Sequence, residues 1–144
     1  MAVVDASGLI LGRLCTHESK RLLNGEEIVV INADKAIVSG RSVQLKEHYK
    51  HRTERASSQM KAKGPYYPRT ADMMLKRTVR GMLQYKKPRG RDAYKRLTVY
   101  VGVPREFQDT KAETVESAKK PHMVKYAYLG DIAKHMGSSR EVAR

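Results

Sequence analysis

Hydrophobic positions in the first third of the chain follow the pattern of a strand–helix–strand unit. Val3-Val4 starts a short apolar run that predicts a strand. From Leu11 to Leu22 apolar side chains recur at helical spacing, and Asn24-Gly25 is a typical helix end. The segment Ile28-Val29-Val30-Ile31 is apolar at every position, as in strands buried on both faces of a parallel sheet. The sequence therefore predicts a right-handed crossover between two parallel strands.

Shorter apolar segments predict the remaining elements. In chain order these are a strand at 36–38, a helix from Ser42 towards Tyr49, a strand at 97–101, an extended segment at 126–128 and a helix at 129–136. Apolar residues are few between Arg105 and Lys120, so a surface loop with about one turn of helix is expected there.

A second amphipathic helix is predicted after Thr70, which can cap it, with Asp72 in its first turn. Its predicted apolar face consists of Ala71, Met74, Leu75, Thr78, Val79 and Met82. Its predicted polar face consists of Lys76, Arg77, Arg80 and Gln84. A basic turn at 86–91 and a short helix at 93–96 are expected to follow.

The stretch from Lys50 to Arg69 has almost no apolar periodicity. It ends in Gly64-Pro65-Tyr66-Tyr67-Pro68, which is incompatible with a helix. We therefore predict a long irregular loop. Such loops are uncommon in compact domains unless they are functional.

Positive charge is concentrated in one part of the sequence. The 144 residues carry a net charge of +14, and the length suits a single domain spanning 1–144. Segment 41–96 holds 17 Lys and Arg against four acidic residues, a net charge of +13, so the remainder is nearly neutral. This segregation predicts a polyanionic partner, because clustered Lys and Arg neutralise phosphates and release counterions.

The candidate RNA-binding residues lie mostly in this basic segment. Tyrosines among them can stack on unpaired bases, although packing against the sheet is an equally good explanation for Tyr49, Tyr66, Tyr67 and Tyr85. The predicted set is Arg13, Arg41, Lys50, Arg52, Arg55, Lys61, Lys63, Tyr66, Tyr67, Arg69, Lys76, Arg77, Arg80, Lys86, Lys87, Arg89, Arg91 and Arg96.

Other kinds of chemistry have weak support in the sequence. Gly8 and Gly12 flank a strand-to-helix turn but do not form the dinucleotide-binding fingerprint. The Cys and His residues lack the paired spacing of zinc sites. We therefore expect no metal, cofactor, small-molecule substrate or catalytic activity, and a nucleotide-binding α/β enzyme is the alternative.

The apolar segments also bear on where the protein acts. They are too short to span a membrane, and the basic segment lacks the bulky apolar anchors of a membrane-surface helix. The start of the chain does not follow the pattern of a secretory signal, and the single Cys15 suits a reducing compartment. The expectation is a soluble, cytoplasmic protein with no membrane partner.

Ten short strings, in this order and spacing, resemble the L-thirteen family of large-subunit ribosomal proteins, most closely its archaeal branch. They are Val4-Asp5-Ala6, Leu11-Gly12-Arg13-Leu14, Leu23-Asn24-Gly25, Val29-Val30-Ile31-Asn32-Ala33, Ser39-Gly40, Gly64-Pro65, Arg77-Thr78-Val79-Arg80-Gly81-Met82-Leu83, Arg89-Gly90-Arg91, Arg96-Leu97 and Val99-Tyr100-Val101-Gly102-Val103-Pro104. The resemblance is dense over residues 3 to 104 and looser in the tail.

The resemblance implies a three-layer α/β/α fold with a small, mostly parallel sheet and a long basic loop. It also implies binding to large-subunit ribosomal RNA early in assembly, beside neighbouring ribosomal proteins. Arg77, Arg80 and the turn from Lys86 to Arg91 would lie against the RNA, and Gly81 would let the helix backbone approach it closely. The protein would be ribosome-bound and non-catalytic.

Overall fold

A parallel three-stranded sheet forms the centre of the fold. The computed structural model describes residues 1–54, 66–119 and 124–138. Strands β1 (Ala2–Asp5) and β4 (Leu97–Val99) both pair in parallel with β2 (Ile28–Ile31), giving the order β1-β2-β4. All four residues of β2 are buried, as the uninterrupted apolar run predicts. The mixed α/β fold with a small, mostly parallel sheet is thus confirmed.

Helix α1 (Leu11–Leu23) crosses from β1 to β2 as predicted. It buries Leu11, Leu14, Cys15 and Leu22, and it ends where Gly25 adopts a φ of +99°. That conformation costs glycine little, because it has no Cβ to meet the backbone.

The short strand β3 (Ile37–Ser39) is formed, but it belongs to a separate two-stranded sheet. It pairs in antiparallel fashion with β5 (Tyr126–Tyr128), and helix α5 (Leu129–His135) follows directly. This pairing joins segments about ninety residues apart, which local patterns in the sequence do not encode.

Helix α2 (Ser42–Glu54) is longer than predicted, so the predicted loop is wrong for residues 50–54. The helix buries none of its residues, so apolar spacing gave no signal for its second half. Lys50 and Glu54 form an ion pair one turn apart, with nitrogen and oxygen 3.9 Å from each other. Such pairs stabilise exposed helices by a few tenths of a kcal/mol. Residues 66–69 form neither helix nor strand, as predicted, while the rest of the predicted loop, 55–65, lies outside the described residues.

Helix α3 (Ala71–Met82) buries Ala71, Met74, Leu75 and Val79, as predicted. Two details of the prediction are wrong. Thr70 stands at the N-cap, but its side chain makes no capping hydrogen bond. Met82 is 42% exposed and Leu83 is buried in its place, because the backbone leaves the helix at Leu83 with a ψ of 146°.

Helix α4 (Pro88–Lys95) confirms the predicted helix for residues 93–95, but it begins earlier, so the predicted basic turn is wrong for residues 88–91. Pro88 occupies the first turn of the helix, where its missing N–H has no helical partner to lose. The structured turn is therefore only 83–87.

The two faces of the parallel sheet are covered differently. A large core contains buried side chains of α1, α3, α4 and α5, including Leu14, Leu75, Val79 and Ile132. On the other face Val3, Val29 and Ile31 pack against the segment 100–112, chiefly Tyr100, Val103 and Phe107. The loop predicted at 105–120 is mostly loop in its described part, 105–119, with 3₁₀ turns at 105–107 and 116–118.

Candidate nucleic-acid interface

Helix α3 places cations on the side away from its buried face. Arg77 and Arg80 are three residues apart, and Lys76 and Arg80 are four apart, so all three lie on one side of the helix. Because the opposite side is fixed in the core, these cations are held at the surface by a rigid element.

A first cluster forms where α3 meets α2 and the loop segment at 66–69. The guanidinium carbons of Arg77 and Arg52 lie 4.4 and 5.0 Å from the centre of the Tyr67 ring. Nη1 of Arg77 also donates a hydrogen bond of 2.9 Å to the carbonyl oxygen of Tyr66. Cation–π contacts of this kind contribute about 0.5–1 kcal/mol each when exposed. They hold the loop segment at 66–69 against α3.

A second cluster lies at the other end of α3, against α4. The guanidinium carbon of Arg80 lies 4.2 Å from the centre of the Tyr85 ring, and Nζ of Lys76 lies 5.3 Å from that of Tyr94. The rings of Tyr85 and Tyr94 meet edge to face, with their centres 5.3 Å apart. This geometry is the favourable one for aromatic pairs.

The two clusters form one continuous surface, because Arg77 of the first and Arg80 of the second lie one turn apart on α3. Burial raises the pKa of the Tyr94 phenol above its ordinary value of 10. The positive charges of Arg80 and Arg77 oppose this increase, and Tyr85 adds to it. Cations of both clusters thus act on the same ring, and the Tyr94 phenol is neutral at pH 7. We call this the Arg–Tyr surface and define it as Arg52, Tyr67, Lys76, Arg77, Arg80, Tyr85 and Tyr94.

Most of the other predicted RNA-binding residues are at the molecular surface. The exposed ones are Arg13 on α1, Arg41 before α2, Lys50 on α2, Tyr66 and Arg69 before α3, Lys86 and Lys87 in the turn, and Arg89 and Arg91 on α4. Arg55, Lys61 and Lys63 lie outside the described residues.

Two arginines of the predicted set also contribute to the fold. A guanidinium nitrogen of Arg96 donates a 2.9 Å hydrogen bond to the carbonyl oxygen of Leu22, and one of Arg89 donates a 3.4 Å bond to that of Leu23. These carbonyls belong to the last turn of α1, and that of Leu22 also accepts a hydrogen bond of 3.2 Å from the Gly25 amide. Arg96 is half-buried, so its cation is positioned to cap α1.

Tyr94 is not among the RNA-binding residues predicted from the sequence. Its role depends on α4 beginning at Pro88, since the helix brings its ring against Tyr85 and under Lys76. Recognising Pro88 as a first-turn proline would have predicted that helix and placed Tyr94 on it.

The carboxyl end of the parallel sheet, where α/β enzymes bind nucleotides, is filled by the protein's own polar groups. The Ser7 amide and hydroxyl and Nδ2 of Asn32 all donate to Oδ1 of Asp5, at 2.7–3.0 Å. The Gly102 amide donates to Oδ1 of Asp34 at 3.2 Å. Burial alone would raise the pKa of Asp5, but the bonds from Asn32 and Ser7, helped by the charge of Lys35, lower it below 3.8. These carboxylates are engaged in holding the loops together.

One buried acid lies away from the Arg–Tyr surface. Glu18 on α1 is fully buried, and neither carboxylate oxygen has a hydrogen-bond partner in the described structure. Burial raises its pKa to about 7; Arg21 opposes the shift, while Glu113 and Glu26 add to it. Burial also raises the pKa of the neighbouring Cys15 thiol to about 12, so that thiol is unreactive at neutral pH.

The described residues include no group of three or more His, Cys, Asp or Glu side chains arranged to hold a metal ion. Within the same parts of the chain, no helix is both long and apolar enough to cross a membrane.

The fold and the Arg–Tyr surface define a small α/β protein with a cationic and aromatic surface. Comparison with known proteins agrees with the resemblance in the sequence. The family model Ribosomal protein L13 matches residues 1–106, and the chain belongs to that family.

Its relatives include three archaeal proteins named large ribosomal subunit protein uL13. The Methanosarcina barkeri protein is 51% identical over 142 residues, covering 96% of this chain and 99% of the relative. The Archaeoglobus fulgidus protein is 49% identical over 138 residues, covering 94% and 86% respectively. The Methanocaldococcus jannaschii protein is 41% identical over 139 residues, covering 96% and 98%.

Proposed function

We propose that this protein is a structural constituent of the large ribosomal subunit that binds ribosomal RNA and supports subunit assembly. It acts as a single domain, ribosome-bound in the cytoplasm, without catalytic activity, and its partners are ribosomal RNA and neighbouring ribosomal proteins. The continuous Arg–Tyr surface is the observation that carries the proposal, in a chain whose relatives are named as large-subunit proteins.

The proposed interface extends outward from the Arg–Tyr surface. It also includes exposed cations of the neighbouring elements, namely Lys86 and Lys87 in the turn, Arg91 on α4, Arg69 before α3 and Lys50 on α2. The planar guanidinium of an arginine can bond two phosphate oxygens, while lysines suit looser contacts. Recognition would depend mainly on RNA shape and backbone, since A-form helices offer side chains little access to base edges.

Gly81 supports a close approach of RNA to α3. It is exposed within the helix, and a Cβ built there would meet nothing within 4 Å. Packing within the described protein therefore does not require glycine here, although glycine in a helix costs roughly 0.5–1 kcal/mol relative to alanine. An RNA backbone lying directly on the helix would explain the residue.

Replacing Arg77 and Arg80 together with alanine should weaken RNA binding roughly 10- to 100-fold at moderate salt while the domain still folds. The logarithm of the binding constant falls linearly with the logarithm of the salt concentration, and each lost phosphate contact makes that slope shallower by about 0.9. The slope should therefore fall by about 2, measured by filter binding of a large-subunit RNA fragment over a salt series.

The control removes the same charge elsewhere, in the exposed Lys111 and Lys134, and should change the slope little. Circular dichroism and urea unfolding of both variants report on the fold. Unchanged RNA binding in the arginine variant, or loss of its fold, would overturn the assignment of these arginines.

A further inference from the structure

A cleft opens between helices α2 and α3 and the loop segment at 66–69. Its volume is about 280 Å³, and the end of α5 contributes Met136 to its lining. That size is at the lower limit of small-ligand sites, which usually measure about 300–1,000 Å³. It suits one small planar group.

The interior of the cleft is apolar and aromatic. Met74 and Met136 are almost fully buried, and the half-buried rings of Tyr49 and Tyr67 complete the lining. Methionine and aromatic surfaces favour a flat π system, through sulfur–aromatic contact and stacking.

Two cations line the same cleft. Arg52 and Arg77 both lie over the Tyr67 ring, and the ion pairs found among the described residues include neither of them. Arg52 also acts electrostatically on Tyr49: burial raises the pKa of that phenol, and the guanidinium opposes the shift. The two arginines are thus oriented by aromatic rings while their charge remains available to an anionic group.

Two hydroxyl groups add hydrogen-bonding capacity. Thr53 donates to the Lys50 carbonyl oxygen at 2.7 Å, and Thr78 donates to the Met74 carbonyl oxygen at 3.0 Å. Their protons are used within the helices, so both oxygens can act only as acceptors towards a ligand in the cleft. A ligand with N–H or O–H groups could donate hydrogen bonds to these two oxygens.

We infer that this cleft binds one unpaired nucleotide of the RNA, with its base among Tyr49, Tyr67 and Met74 and its phosphate beside Arg52 and Arg77. A base supplies the flat π surface and the donors, and its phosphate supplies the negative charge. Stacking on aromatic rings and guanidinium planes is the usual way in which proteins hold unpaired bases. The inference rests on the proposed RNA-binding function and adds a defined single-nucleotide site to it.

The test uses methionine-methyl NMR of the full chain. Met74 and Met136 report from inside the cleft, and the exposed Met73 and Met82 report from α3 outside its lining. The probes are adenosine and uridine 5′-monophosphates. Ribose 5-phosphate is the matched control without a base, and N-acetyltyrosinamide represents an inserted protein side chain.

Both nucleotides should shift the signals of Met74 and Met136 saturably, while ribose 5-phosphate should bind at least roughly fivefold more weakly. Tyr67→Phe should retain this binding, and Tyr67→Leu should weaken it by a similar factor. Should Tyr67→Leu disturb the fold, Arg52→Gln serves as the second variant and should weaken nucleotide binding while leaving the spectrum of the free protein otherwise unchanged.

Equal binding of ribose 5-phosphate, stronger binding of N-acetyltyrosinamide, or shifts confined to Met73 and Met82 would overturn the inference.

The Arg80→Ala variant separates the two proposals, because Arg80 is outside the cleft lining. It should weaken binding of the RNA fragment and leave the nucleotide shifts intact. If RNA binding depends on Arg80 but neither nucleotide shifts the methionine signals, the nucleotide site in the cleft is refuted and the proposed function is not. Absence of RNA binding by the unmodified chain would refute the proposed function.

Discussion

Gly90→Ala is expected to reduce the free energy of unfolding by about 2–3 kcal/mol, in the upper part of the range for overpacked cores. A Cβ at this position would stand 2.2 Å from the carbonyl oxygen of Gln84 and 2.5 Å from its carbon. The obstacle is backbone, so it cannot rotate away as a side chain could. Alanine is intrinsically better than glycine in a helix by about 1 kcal/mol, but the clash outweighs this gain.

In the Gly90→Ala variant, the clash would push α4 away from the turn at 83–87, and the contact between these two elements matters for function. That contact places Tyr85 against Tyr94, so Gly90→Ala should also weaken RNA binding through the Arg–Tyr surface. Urea unfolding measures the stability change. Gly12→Ala is the control, because Gly12 is a helical glycine at an exposed position where a Cβ would meet nothing within 4 Å. Gly12→Ala should leave stability unchanged or raise it by about 0.5–1 kcal/mol. A Gly90→Ala protein as stable as this control would show that position 90 does not lie close to the Gln84 carbonyl group.

Glu18→Gln should stabilise the protein at pH 8 by up to about 3 kcal/mol, and the gain should disappear near pH 4. The pKa of Glu18 rises from its ordinary value of 4.5 to about 7 in the folded state. A raised pKa means that the folded protein holds its proton more tightly than the unfolded chain. This contribution to stability is fully present below pH 4.5 and is lost as the pH rises through 7. Each tenfold difference in proton affinity between the two states corresponds to about 1.4 kcal/mol.

The measurement is urea unfolding of both proteins at several pH values between 4 and 8, reported as the difference in free energy of unfolding. Glutamine keeps the shape of the protonated acid and removes the buried charge. Glu106→Gln, at an exposed position, is the control and should differ from the unmodified protein by less than about 0.5 kcal/mol throughout. A difference for Glu18→Gln that does not vary with pH would contradict the raised pKa. A Glu18→Gln protein that is less stable than the unmodified protein at pH 8 would contradict it as well.

Patterns within a short stretch predicted the parallel core well. The apolar run at 28–31 and the helical spacing from Leu11 encode local structure and burial together, so both elements formed where expected. Elements without a buried face were harder to predict. The second half of α2 is exposed and is stabilised by local contacts such as Lys50–Glu54, which apolar spacing does not register.

The composition of the candidate site was predicted better than its geometry. Charge segregation selected Arg52, Lys76, Arg77 and Arg80, and the structure brings all four onto aromatic rings. Contacts between separate elements, such as Arg52 with Tyr67, depend on how α2 packs beside α3. The pairing of β3 with β5 is equally a tertiary property that segment-by-segment analysis could not supply.

Sedimentation of a cell extract through a sucrose gradient, before and after a moderate salt wash, tests association with the ribosome itself. We expect the chain to sediment with the large subunit and to remain there after the wash, because many simultaneous contacts give an affinity high enough to survive a moderate rise in salt, even though each phosphate contact steepens the salt dependence. Absence of the chain from ribosomal fractions before any wash would contradict the proposed function, whatever the Arg–Tyr surface binds in isolation.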